Sequence, residues 1–106
     1  MMQEIVAENK SDDNGNPTGG SVKAVGIEIN WQDGPLGRDG ERKEPNGAFV
    51  EGVISSAIQR LEYFQNSKFK CRENALAITK LEEALHWLNS RTSNREKRGV
   101  EGTYKE

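Results

Sequence analysis

The second half of the chain carries the pattern that most constrains its fold, two amphipathic segments joined by a few residues. Between Ala48 and Asn66, apolar side chains recur every three or four residues, at Val50, Val53, Ile54, Ala57, Ile58, Leu61 and Phe64. Between Cys71 and about Arg98, a second series steps alternately by four and three residues, at Asn74, Ile78, Leu81, Leu85, Leu88 and Thr92. Both spacings place their residues on one face of an α-helix.

The connection between the two predicted helices is only Ser67–Lys70. So short a link makes neighbouring helices antiparallel. Gly99 is the expected C′ residue that ends the second helix, because glycine accepts the left-handed conformation found there. The sequence therefore predicts a two-helix antiparallel hairpin, followed by a short tail.

The N-terminal third of the chain predicts an antiparallel β-hairpin. Gln3–Glu8 is a short candidate strand, and Asn9–Gly20 consists almost entirely of turn formers, which we expect to make a flexible hairpin tip. Ser21–Trp31 is the second candidate strand. Its alternate apolar residues are expected to form one half-buried face, made of Val25, Ile27, Ile29 and Trp31.

These elements predict an α+β fold in a single domain, residues 1–106. The domain comprises a β-hairpin region (1–36), a loop (37–47) and the helical hairpin with its tail (48–106). Apolar residues make up 33% of the chain, below the usual share of roughly 45%. A lone copy would therefore bury a thin core, and we expect a homo-oligomer whose interface serves as additional core.

Composition also limits the partners and the compartment. A net charge of −2 argues against DNA, which needs a basic face, but two or three local arginines suffice for a small anion. The one cysteine, Cys71, cannot form a disulfide within the chain, which is typical of a reduced cytosolic protein. Met1–Lys10 lacks the pattern of a signal peptide, and no apolar stretch approaches the roughly 20 residues of a membrane span.

No set of residues argues for catalysis. The one histidine, His86, falls at the flank of the second helix, and Cys71 has no base near it in the sequence. Histidine and cysteine do not recur at the spacing of metal ligands. We therefore expect a non-enzymatic protein without a metal or cofactor.

The arginines near the end of the second helix are more informative. Arg91, Arg95 and Arg98 are spaced so that they share one helical stripe. Cations here complement the helix dipole, which is one explanation of the stripe. Guanidinium groups on one face also suit a pyrophosphate or phosphodiester. The stripe continues from apolar Ala84 and Leu88 and is followed by a glycine-containing tail, which favours the second explanation.

Aromatic and amide side chains would complete a site for a purine nucleotide. Phe64 and Asn74 are candidates, although core packing is an alternative for Phe64. Both fall near the hairpin turn, roughly 25 Å along the helix axis from Arg91. One subunit cannot easily unite them, whereas an antiparallel partner subunit can. Trp31 either closes the buried face of its strand or lies over a ligand through the glycines of its loop.

Four stretches of the sequence resemble the first-described phage Thoeris anti-defence proteins, over about three quarters of the chain. They are NWQDGPLG (Asn30–Gly37), PNGAFVEGVISSAIQRLEYFQ (Pro45–Gln65), FKCRENALAITKLEEALHWLNSRT (Phe69–Thr92) and REKRGVEGTY (Arg95–Tyr104). The resemblance implies a sponge, a protein that binds cyclic ADP-ribose isomers without cleaving them and so starves an immune effector. It also implies a fold similar to the anti-CBASS cyclic-nucleotide sponges and assembly as dimers or hexamers. Some members bind cyclic dinucleotides or trinucleotides at separate sites.

The resemblance also implies roles for residues at matching positions. Phe64 would stack on the adenine, and Asn74 would contact the base or a ribose. Arg91 and Arg95 would bind the phosphates.

Loop and tail residues would enclose the ligand in the same comparison. The loop around Trp31–Leu36 and Arg38 would cover it, and the tail Gly99–Tyr104, which includes Thr103, would close the pocket. Such a protein would act in the cytoplasm of the bacterial host. Two alternatives are a hydrolase of the same signal and an adaptor that binds proteins through its helix seam.

Overall fold

The N-terminal part of the chain forms a three-stranded antiparallel sheet. In the computed structural model, which describes residues 4–106, the strands are β1 (Val6–Ser11), β2 (Pro17–Ala24) and β3 (Ile27–Asn30), in the order β1-β2-β3. The predicted α+β class is confirmed, but the prediction of a two-stranded hairpin is wrong.

The first error concerns the hairpin tip, which is shorter than predicted. Strand pairing continues to Ser11 opposite Pro17, so only the residues between them form the turn. The Asp12 carboxylate accepts hydrogen bonds from the backbone N–H groups of Asn14 and Asn16, each at 2.9 Å. The hydrogen bonds from Asn16 lower the pKa of Asp12 below its ordinary value. An aspartate that bonds its own turn in this way orders the tip, which the prediction of a flexible segment did not anticipate.

The second error concerns Ser21–Trp31, which is two strands and not one. A turn at Val25 and Gly26 joins β2 to β3, and Gly26 adopts a φ of +75°. Val25 is 85% exposed in this turn and does not belong to the predicted buried face. The remaining alternation is that of β3 alone, where Ile29 is half-buried while Ile27 is exposed.

Both predicted helices are confirmed, as α1 (Val50–Gln65) and α2 (Arg72–Lys97). The Glu51 carboxylate near the start of α1 lies 3.9 Å from the Arg91 guanidinium near the end of α2, so the helices are antiparallel. The predicted seam of α2 is half-buried throughout, at Asn74, Ile78, Leu81, Leu85, Leu88 and Thr92. On α1, however, two of the predicted core positions are exposed, Val50 and Ala57.

The ends of the helices are fixed by specific contacts. Ala48 was predicted to begin the first helix, but it pairs with Trp31 in a parallel β-bridge, and the helix begins two residues later. The Gln65 side chain closes the connection between the helices, since its amide donates to the Cys71 carbonyl at 3.0 Å and accepts from the Cys71 N–H at 2.9 Å. Gly99 follows α2 with a φ of +74°, as predicted for the C′ position.

The described residues form two compact units. One contains those up to Phe49 together with the tail Val100–Glu106, and the other is the helical unit Val50–Gly99. Ile58 is the one buried hydrophobic side chain within residues 4–106. No helix in the described part of the chain is long and apolar enough to cross a membrane.

Candidate functional site

Six side chains along the last turns of α2 line an open groove of about 400 Å³, which we call the arginine groove. They are Trp87, Ser90, Arg91, Asn94, Arg95 and Arg98. The groove contains both arginines that were predicted to bind phosphate. Its volume falls within the range of small-molecule sites, roughly 300–1,000 Å³.

Helical spacing explains how the arginine groove forms. Steps of three and four residues return to nearly the same face of a helix, so side chains from three successive turns line up. The Nε of Arg98 donates to Asn94 Oδ1 at 2.9 Å, one turn earlier. The Arg91 side chain is 60% exposed, and its ion pair with Glu51 is long, at 3.9 Å. Arg91 is therefore only weakly held within the chain and accessible to an anion.

A second cleft, of about 580 Å³, lies between the loop after β3 and the C-terminal tail, and we call it the loop–tail cleft. Its lining residues are Pro35, Gly37, Arg38, Glu41, Lys43, Gly102, Thr103 and Tyr104. Arg38 and Thr103, both predicted to contact the ligand, are thus brought together in it. Two basic groups, two hydroxyls and the Glu41 carboxylate line the cleft. This mixture of donors and acceptors suits a polar, sugar-containing group.

An ion pair fastens the tail to the loop beside this cleft. Arg42 Nη1 lies 2.9 and 3.0 Å from the two carboxylate oxygens of Glu101 and also donates to the Gly37 carbonyl at 3.1 Å. Arg38 Nη1 donates to the Glu101 carbonyl at 3.0 Å. These contacts, which we call the loop–tail clasp, fix the backbone on both sides of the cleft.

Gly102 allows the backbone of the tail to approach the backbone of the loop closely at Gly37. The Gly37 N–H donates to the Gly102 carbonyl at 2.9 Å. Gly102 has a φ of +78°, and a Cβ added there would lie 2.3 Å from the Gly37 carbonyl oxygen. Only glycine meets both requirements, the left-handed conformation and the absence of a side chain.

Trp31 and Gly99 line neither the arginine groove nor the loop–tail cleft. Trp31 is half-buried at the end of β3, where its N–H donates to the Gly20 carbonyl at 3.0 Å. Gly99 ends α2 in a left-handed conformation. Their predicted contacts with a ligand stay predictions.

Phe64 and Asn74 lie at the opposite end of the helical unit from the arginine groove. Phe64 is half-buried near the end of α1, with the Arg60 guanidinium 4.9 Å from its ring centroid. Asn74 is half-buried in the first turn of α2. Asn74 and Arg91 are 17 positions apart on one continuous helix, about 25 Å along its axis. The helical unit of one chain therefore does not unite the four predicted contacts.

Several residues of the two surfaces were missed by sequence reasoning. Trp87 and Asn94 are in the arginine groove, and Lys43 is in the loop–tail cleft. The spacing of Trp87 and Asn94 relative to Arg91 would have identified the first two. No comparable pattern marks Lys43, since the loop and the tail that form the cleft are distant in the sequence. Within residues 4–106, no cluster of histidine, cysteine and carboxylate side chains could hold a metal ion.

Comparison with known proteins gives two matches. Residues 23–93 match the family model of the Acb2/Tad1 hairpin domain, a range that includes α1 and most of α2. Over 94 residues, the chain is 52% identical to Thoeris anti-defense 1 of Bacillus phage SBSphiJ7. That match covers 81% of this chain and 63% of the relative, so the chain spans less than two thirds of the relative's length.

Proposed function

Because the chain belongs to the family of the Acb2/Tad1 hairpin domain, we propose that it is a phage anti-defence protein that sequesters cyclic ADP-ribose isomers without cleaving them. The site of action is the cytoplasm of the infected bacterium, where removal of the signal keeps an immune effector inactive. A sponge works by mass action, so it must be abundant and its Kd must lie below that of the effector.

The arginine groove is the observation that carries the proposal. It places the Arg91 and Arg95 guanidinium groups on one accessible face of α2. Paired guanidinium groups bind pyrophosphate oxygens through several charge-assisted hydrogen bonds, each stronger than a neutral one. Every cyclic ADP-ribose isomer contains such a diphosphate.

We also propose that a second copy of the chain completes the site. Phe64 and Asn74, which are predicted to contact the base, lie too far from Arg91 along the same helical unit to contact one small ligand with it. A partner related by an antiparallel arrangement can supply them. The small extent of burial within one copy supports this, since large hydrophobic side chains such as Phe69, 65% exposed, and Tyr63, 58% exposed, lie open to solvent.

Recovery of the ligand distinguishes a sponge from a hydrolase. The purified protein is incubated with a cyclic ADP-ribose isomer, freed of unbound ligand, denatured by heat and analysed by chromatography. A sponge returns the intact ligand in stoichiometric amount, whereas a hydrolase returns linear product. A protein that retains neither would be consistent with the adaptor alternative and would refute the proposal.

The phosphate assignment is tested by two variants and one control. Arg91→Ala and Arg95→Ala should each abolish retention of the ligand, while the molecular mass of the assembly stays unchanged. Lys80→Ala removes one positive charge from the exposed middle of the same helix, where the lysine makes only a long surface ion pair of 3.7 Å, and should bind as the wild type does. Normal binding by both arginine variants would show that the phosphates are held elsewhere.

A further inference from the structure

Trp87 is an exposed aromatic side chain in the arginine groove to which neither the sequence motifs nor the resemblance assigns a role. It is 70% exposed on α2. The His86 ring contacts it in an edge-on arrangement, with 5.4 Å between ring centroids and 74° between the ring planes. A large exposed ring beside charged groups is typical of a binding surface, because covering its apolar area with a ligand removes that area from water and contributes favourable free energy.

The position of Trp87 relative to the arginines is set by the helix. Arg91, Asn94 and Arg98 follow it at intervals of four, three and four residues, so the four side chains form one row along α2 and its C-cap, Arg98. The row is roughly 16 Å long by helix rise. Its aromatic end and its cationic end match a ligand that has a ring at one end and phosphates at the other.

The charge of the arginine groove favours a small anion over a long anionic polymer. Three of its six lining residues are arginines, and none carries a carboxylate. The Asn94 side chain orients the third guanidinium, since its Oδ1 accepts from Arg98 Nε at 2.9 Å. The chain as a whole has a net charge of −2, so this concentration of positive charge is local. A long nucleic acid would meet repulsion beyond the groove, whereas a nucleotide would not.

We propose that Trp87 and Arg98 contact the ligand directly. Trp87 stacks on the face of the adenine opposite the one assigned to Phe64 of the second copy, and Arg98 is a third guanidinium for the phosphates. The inference rests on the proposed function, because it assigns further residues to the same groove. It predicts that the ligand class is a nucleotide with a base, and not a phosphate alone.

Three probes separate stacking from phosphate binding, namely cyclic ADP-ribose, ADP-ribose and inorganic pyrophosphate, each titrated by calorimetry. Trp87→Ala should raise the Kd for the two nucleotides about 10- to 100-fold, the range expected for loss of one base stack, and leave pyrophosphate unchanged. Trp87→Phe keeps a ring and should restore most of the affinity. Arg98→Met should weaken all three probes about 10-fold. Leu76→Ala and Lys80→Met are the matched controls on the same helix outside the groove.

Fluorescence provides an independent measure, because the chain has two tryptophans. Saturating cyclic ADP-ribose should quench the tryptophan emission of Trp31→Phe, in which Trp87 is the remaining tryptophan. The same quenching of Trp87 emission should be missing in Trp87→Phe.

Unchanged nucleotide affinity in Trp87→Ala, with binding lost in Arg91→Ala, would overturn the inference and leave the proposed function standing. A lower assembly mass in Trp87→Ala with unchanged affinity would assign Trp87 to a subunit contact and also overturn it. If the wild type binds none of the probes, both proposals are wrong.

Discussion

Replacing Gly102 by alanine tests how the tail is held against the loop. The left-handed conformation of Gly102, with a φ of +78°, costs about 1–2 kcal/mol for a residue with a side chain. The new Cβ would also lie 2.3 Å from the Gly37 carbonyl oxygen, which is backbone and cannot rotate away. Relief requires the loop to move, and this breaks the 2.9 Å hydrogen bond from the Gly37 N–H, worth about 1 kcal/mol.

These terms predict that Gly102→Ala destabilises the unit containing the sheet by about 3 kcal/mol. For a unit of this size, the midpoint of thermal unfolding should fall by more than about 10 °C. Trp31 lies in this unit and Trp87 lies in the helical unit. Denaturant unfolding followed by Trp31 fluorescence in a Trp87→Phe background therefore reports the affected unit.

Gly26→Ala is the matched control for backbone strain. Gly26 has nearly the same conformation, with a φ of +75°, but nothing lies within 4 Å of an added Cβ. It should cost only the conformational term, about 1–2 kcal/mol. Free energies of unfolding that agree within about 0.5 kcal/mol for the two variants would refute the argument that close backbone approach fixes the tail.

Three further predictions follow from the fold. Arg42→Met should loosen the loop–tail clasp and speed hydrogen exchange at the Gly37 amide. The double variant Arg42→Glu with Glu101→Arg reverses both charges of the ion pair and should restore much of the protection from exchange. Equal exchange rates in all three proteins would contradict this. Because hydrogen bonds from Asn16 lower the pKa of Asp12, its contribution to stability is present above the ordinary value of 3.8 and is lost as pH falls through the lower folded-state value. The stability difference between wild type and Asp12→Asn should therefore shrink in acid unfolding below about pH 3.8 and stay constant above it. Ile58→Ala should cost about 2–4 kcal/mol in denaturant unfolding, since this side chain is 9% exposed, whereas Val25→Ala, 85% exposed, should change stability by less than about 0.5 kcal/mol.

The helical hairpin could be predicted from the sequence because its information is local and periodic. The seam from Asn74 to Thr92 repeats over several turns, so an error at one position does not alter the helix assignment. The sheet was harder to predict, since the two turns that shape it each depend on one residue. Asp12 orders a segment whose composition predicts flexibility, and Gly26 ends β2 inside an alternating series that extends into β3.

The candidate site also contains residues whose proximity could be predicted from the sequence and residues whose proximity could not. Arg91 and Arg95 are neighbours on one helix, so their juxtaposition could be predicted from spacing. Arg38 and Thr103 meet only because the tail returns to the loop, and the sequence-derived resemblance, not any spacing, selected them. The ion pair between Arg42 and Glu101 joins residues 59 positions apart. No single-sequence pattern specifies such a pair, since its partners are chosen by tertiary structure.

The return of the tail to the sheet has a consequence for the order of events during synthesis. The helical unit, Val50–Gly99, is continuous in sequence and interrupts the other unit, whose two segments lie before and after it. On the ribosome, the hairpin can therefore finish folding while the first segment still waits for Glu101 and Gly102. Newly made chains would thus display a completed helical hairpin before the loop has its final backbone partner, and the loop–tail cleft would form only after that hairpin.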